Sequence, residues 1–138
     1  MALKLDFIIE GGNFSKAGKA SSQIKKVLKQ LDIDTRIIKS IVVAIYEAEV
    51  NVVAHAYSGK LTAGIGENEI EVVVADKGPG IEDIGKAMEA GFSTASKEVR
   101  EMGFGAGMGL PNIKKNTDEM NIESKMGEGT TLRFKCFY

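Results

Sequence analysis

The chain has 138 residues, 43% hydrophobic and 27% charged, which are ordinary globular proportions and far from disordered or fibrous composition. Its 18 Lys and Arg against 19 Asp and Glu leave a net charge of -1, so no basic excess points to nucleic acid. One cysteine and one histidine exclude an internal disulfide and a four-ligand zinc site, and no apolar run reaches the roughly 18 residues of a membrane span.

The length fits one α/β domain over 1–138. Residues 2–10, rich in Leu, Ile and Phe, predict a strand that Gly11, Gly12 and Asn13 stop. Asp6 and Glu10 come too early for a signal peptide, so a reducing, cytoplasmic setting is expected. From Ser15 to Leu31, the positions Ala17, Ala20, Ile24, Val27, Leu28 and Leu31 recur at spacings of three and four, an amphipathic helix with a lysine-rich outer face. Asp34 or Thr35 then caps a second helix running to about Tyr57. This second helix is apolar around most of its circumference, so burial on several sides is expected. Its β-branched run 41–45 also suits a strand, but about 22 residues without a breaker are too many for one.

Two antiparallel strands follow, the second ending at Asp76, then a short helix from Glu82 to Ala90. Residues 91–108, rich in Gly, Ser and Thr, predict a long loop of the kind kept for function. Helical spacing resumes from Leu110 to Met120, and strands near 121–126 and 130–137 close the chain around Gly127-Glu128-Gly129. Cys136 falls in an alternating segment and is expected to pack there. Tyr46, Tyr57, Phe92 and Phe104 are also read as packing residues, with Phe104 alternatively covering the loop.

Glu47 and Asn51 share one face of the second helix at i, i+4, and His55 lies a further turn along it. An acid and an amide on an apolar helix need partners if buried. They either belong to a local hydrogen-bond network or serve chemistry, with Asn51 offering oxygen to magnesium and Glu47 orienting or deprotonating a nucleophile. Glu49 points away from that pair and is read as a surface charge.

Asp76 precedes Lys77-Gly78-Pro79-Gly80. It either opens a β-turn or accepts from an exocyclic amine such as that of adenine, with Gly78 and Gly80 letting backbone approach a flat ring. The run Gly103 to Gly109 matches neither phosphate-loop consensus. It leads into a helix with Pro111 in the first turn, so its amides suit phosphate oxygens unless it is simply a flexible loop. Gly127 to Thr131 alone reads as a hairpin turn.

Together, E-A-E-V-N at 47–51, D-K-G-P-G-I at 76–81, G-F-G-A-G-M-G-L at 103–110 and G-E-G-T-T at 127–131 resemble the boxes of the GHKL superfamily. The closest phrasing is that of bacterial anti-sigma factor serine kinases of the RsbW and RsbT kind. The resemblance covers about residues 5–136. It implies a Bergerat-type fold, a two-layer α+β sandwich whose mixed, mostly antiparallel sheet is covered on one face by helices. It implies an ATP pocket in which Glu47 is the catalytic base and Asn51 the Mg2+ ligand. Asp76 would read adenine beside Gly78 and Gly80, Thr130 would support the base, and Gly105, Gly107, Met108, Gly109 and Leu110 would contact phosphate. The implied activity is a serine/threonine protein kinase acting on a small STAS-domain anti-anti-sigma protein in a partner-switching pathway. The alternative is a non-catalytic ATP-gated module that sequesters a sigma factor or activates a phosphatase. A homodimer stays open, and neither nucleic acid nor a membrane is expected as a partner.

Overall fold

The computed structural model describes residues 3–89 and 109–138. Strand β1 (Leu3–Glu10) is followed by a 3-10 turn (Phe14–Lys16) and helices α1 (Lys19–Gln30) and α2 (Thr35–His55). Then come β2 (Ser58–Ile65), β3 (Glu69–Lys77), a one-turn helix α3 (Ile84–Ala87), α4 (Gly109–Lys115), β4 (Glu119–Lys125) and β5 (Gly129–Phe137). The sheet order is β1-β2-β3-β5-β4, and every described pairing is antiparallel.

Period-two alternation sorts the sheet into two faces. Leu61, Ala63, Ile70, Val72, Val74, Leu132, Phe134 and Cys136 point inward and are buried with Ile24, Leu28, Ile41 and Ile45 of the helices. The outer face carries Glu71, Arg133 and Lys135, with Arg133 and Lys135 reaching Glu71 at 3.8 and 3.7 Å. Such solvated pairs stabilise little but keep that face wet. Among the described residues the result is two layers, with the helices packed on one face of the sheet.

Asp34 caps α2 by accepting from the Arg36 N–H at 2.8 Å, which selects one of the two expected cap residues. Cys136 is buried as expected; burial pushes its thiol up to about 11. Several boundaries differ from those the sequence predicts, among them the one-turn α3, Ile84–Ala87, where a helix from Glu82 to Ala90 was expected. Helix α1 begins at Lys19 because Gly18, at φ 97, breaks the spacing that would carry it back to Ser15. That leaves Leu31 as the C-cap, 49% exposed. Helix α4 ends at Lys115 rather than near Met120. There Asn116 Nδ2 donates to the Asn112 carbonyl at 2.8 Å, competing with the backbone for the last turn, and Glu119 already pairs with Lys135 in the sheet. Tyr57, expected to pack, is 75% exposed on the short connection between α2 and β2.

Glu49 is the largest departure. Helix geometry does turn it away from Glu47 and Asn51, but that side faces α1, and Glu49 is only 2% exposed. Its carboxylate accepts from the N–H groups of Gly18 at 3.2 Å, Ala20 at 3.1 Å and Ser21 at 2.8 Å. Gly18 has no side chain to cap α1, so a carboxylate 29 residues on from Ala20 satisfies those orphan donors and complements the helix dipole.

Candidate functional site

The site has two corners. At the first, α2 presents Glu47 and Asn51 to the start of α4. A Cβ built on Gly109 would lie 3.0 Å from Asn51 Oδ1 and 3.4 Å from Glu47 Oε2, so only a residue without a side chain leaves both oxygens open there. Burial raises the Glu47 carboxyl above its usual value, and a hydrogen bond from the Asn112 side chain opposes that. Asn112 is in the first turn of α4, three residues after Gly109, so the helix that covers the pair also steadies the acid. His55, a half-buried residue at the end of α2, is held below the usual imidazole value by burial.

At the second corner, alternation along β3 places Asp76 on the same inner face as Ile70, Val72 and Val74. Pairing registers line up Ile9, Gly59 and Asp76 on one side and Thr130 and Ser124 on the other, and beyond the last β3–β5 pair it is the Asp76 side chain that joins the two. Thr130 N–H donates to Asp76 Oδ1 at 3.0 Å. Desolvation raises the Asp76 carboxyl, and that backbone hydrogen bond pulls it back. Gly59 lies against Val52, where a Cβ would come within 2.9 Å of a Val52 methyl, so α2 rests on the sheet beside Asp76. Gly78 is similarly tight: a Cβ would lie 3.1 Å from Ala56 Cα and 3.5 Å from Asp76 Oδ1.

The 78–81 loop is stapled to the β4–β5 turn. Gly127 N–H donates to the Pro79 carbonyl at 2.9 Å, Gly78 N–H to the Glu128 carbonyl at 3.3 Å, and Ile81 N–H to Ser124 Oγ at 2.7 Å. Gly80, at φ 82, passes so near Lys125 that any Cβ would lie 2.6 Å from its carbonyl oxygen.

Of the sequence-predicted residues, Glu47, Asn51 and Gly109 meet at one corner, with Leu110 buried behind Gly109. Asp76, Gly78, Gly80 and Thr130 form the other. Gly105, Gly107 and Met108, with the whole 91–108 loop, lie outside the described residues. Asn112 and Ser124 also take part, beside Glu47 and Ile81 respectively, although neither falls among the residues expected from the sequence. Asn112 could be found from its first-turn position, and Ser124 from its inward register in an alternating strand. A concavity of about 340 Å³ lined by Asn121, Glu123, Thr131 and Arg133 opens on the outer face of the sheet and is separate from both corners.

The glycine-shaped space fits a nucleotide with a hard cation. Backbone closes on the Asp76 carboxylate without a side chain, and an amide oxygen and a carboxylate stand open before Gly109. Residues 14–136 match the Histidine kinase-like ATPase domain family. The chain is 35% identical over 136 residues to an anti-sigma F factor from Caldanaerobacter subterraneus subsp. tengcongensis, covering 95% of this chain and 90% of that protein. It is 36% identical over 115 residues to the serine/threonine-protein kinase RsbT of Bacillus subtilis, 79% of each chain. An anti-sigma F factor from Clostridium acetobutylicum is 30% identical over 142 residues, 98% of this chain and 91% of that one. The chain belongs to the Histidine kinase-like ATPase domain family.

Proposed function

We propose that the protein is an ATP-dependent serine/threonine protein kinase and anti-sigma-type regulator acting by partner switching. The observation that carries this reading is the meeting of Glu47 and Asn51 on α2 with Gly109 at the start of α4, while the Asp76 carboxylate on β3 is held by the Thr130 N–H. Its protein substrate is a small STAS-domain antagonist, the sigma factor or a phosphatase is the second partner, and the setting is cytoplasmic. No helix among the described residues is long and apolar enough to cross a membrane.

Phosphoryl transfer needs mainly positioning and charge neutralisation. Asp76 accepts from the adenine amine, while Gly78 and Gly80 let backbone lie against the ring. Gly105, Gly107, Met108, Gly109 and Leu110 offer backbone N–H groups to phosphate oxygens. Asn51 Oδ1 would hold Mg2+, which would neutralise charge on the phosphates. Glu47 accepts the proton of the acceptor hydroxyl, and its raised proton affinity suits a base working near neutrality.

The direct test is incubation with γ-labelled ATP, Mg2+ and candidate STAS-domain proteins. Label on serine or threonine of one of them is expected. Nucleotide-dependent retention of a sigma factor with no label transferred would replace the kinase by the binding module.

Two narrower outcomes follow. Asp76→Asn turns an amide N–H toward the adenine amine and should weaken ATP binding about 10-fold or more, since a mismatched polar pair is costly. An unchanged calorimetric titration would remove Asp76 from the pocket. Asn112→Ala should move the acid limb of the rate profile to higher pH. Glu47 works ionised, so activity is present above its folded pKa and lost as pH falls through it. The Asn112 amide lowers that pKa, and its loss raises it. An acid limb that stays put would detach Asn112 from Glu47.

A further inference from the structure

Ser124 joins three segments that the base-reading corner depends on. Its hydroxyl receives Ile81 N–H at 2.7 Å, lies 3.2 Å from the Gly129 carbonyl oxygen and 2.9 Å from Thr130 Oγ1. A serine hydroxyl has one proton and two lone pairs. Ile81 N–H can only donate, and the Gly129 carbonyl can only accept. All three contacts are satisfied in one way: the Ser124 proton goes to Gly129, and the Thr130 hydroxyl donates to Ser124.

The Thr130 proton is then spent inside the protein, and its hydroxyl offers only lone pairs to anything beside it. Asp76, whose carboxylate accepts the Thr130 N–H, also offers only acceptors when ionised. We propose that Ser124 is a positioning residue that fixes this acceptor-only edge, so that the corner takes a 6-aminopurine and rejects a 6-oxopurine. The amine of a 6-aminopurine donates to this edge. The carbonyl of a 6-oxopurine instead meets lone pairs and a carboxylate, with no proton free to turn toward it.

The inference rests on the nucleotide reading above, and the experiment separates the two. Affinities for ADP and IDP are measured by calorimetry on the full chain, for the parent protein and for Ser124→Ala and Ser124→Thr. The parent should prefer ADP by about 10-fold or more, a modest share of what buried polar mismatch commands. In Ser124→Ala the Thr130 hydroxyl is free to rotate and donate to a 6-oxo group, so the preference should shrink about fivefold or more. Ser124→Thr, which keeps the hydroxyl, should restore it. A residue that merely supports the fold would weaken both nucleotides alike, so an unchanged ADP/IDP ratio in a folded Ser124→Ala protein overturns the proposal. Should that variant not fold, Thr130→Val removes the same hydroxyl from the edge, and an unchanged ratio there is equally fatal. A parent protein that binds neither nucleotide sinks the base-reading assignment itself.

Discussion

Glu47→Ala is expected to keep ATP affinity within about threefold while phosphotransfer falls about 10²-fold or more, the usual magnitude for loss of a general base. The separation follows from where the carboxylate stands. It is half-buried on α2 opposite the start of α4, whereas Asp76, proposed to read the base, is on β3. Removing Glu47 also leaves Asn112 without its acceptor, but Asn112 is only part-buried and water can serve it. Single-turnover assays at saturating nucleotide check the rate, and calorimetry checks binding. Parent-like turnover would withdraw the base role from Glu47.

The second large effect is on stability. Glu49→Ala removes the acceptor of three backbone N–H groups at the start of α1 and leaves a gap between two helices. Hydrogen bonds to charged groups contribute about 1.5–3 kcal/mol each, and part of the three can be regained from water near the exposed edge. A net loss on the order of 3 kcal/mol is therefore expected, or about 10 °C in the melting midpoint for a domain of this size. Glu49→Gln should recover part of it, because one oxygen still serves Gly18 and Ala20 while the amide N–H faces Ser21. Urea unfolding decides the matter. An alanine variant within 1 kcal/mol of the parent would mean that α1 does not depend on this cap. Activity per folded molecule at low temperature should stay near normal, which separates Glu49 from its neighbour two residues earlier.

Those neighbours show what a sequence does and does not disclose. Glu47 and Asn51 were legible because i, i+4 spacing on a long apolar helix is a local property. Asp76 was legible because a period-two run ends on it before a glycine turn. Glu49 was misread although the warning was present: a helix apolar on most sides has little solvent face for a third polar residue, and the preceding helix starts on a glycine with no capping side chain of its own. Linking the two required knowing that α1 packs against α2. Ser124 was illegible for a different reason. Its importance comes from the order β3-β5-β4, which brings it to Thr130, 6 positions along the chain, and through Thr130 to Asp76, 48 positions away, and no local pattern encodes that neighbourhood. The ends of α1 and α4 shifted because Gly18 and Asn116 act through backbone geometry that a hydrophobic period does not register.

The seven described residues of helix α4 are too few to hold helical shape by themselves in water. It is helical because Leu110 and Ile113 are anchored in the core. Its shape is thus borrowed from the same packing that keeps Gly109 over Asn51. Sliding it away would strip two apolar side chains of their contacts, at roughly 1.5–3 kcal/mol each, before any new ones formed. An element under that constraint behaves as a latch rather than a spring. Any shift that lifts Gly109 from Asn51 therefore also pulls Leu110 and Ile113 out of the core.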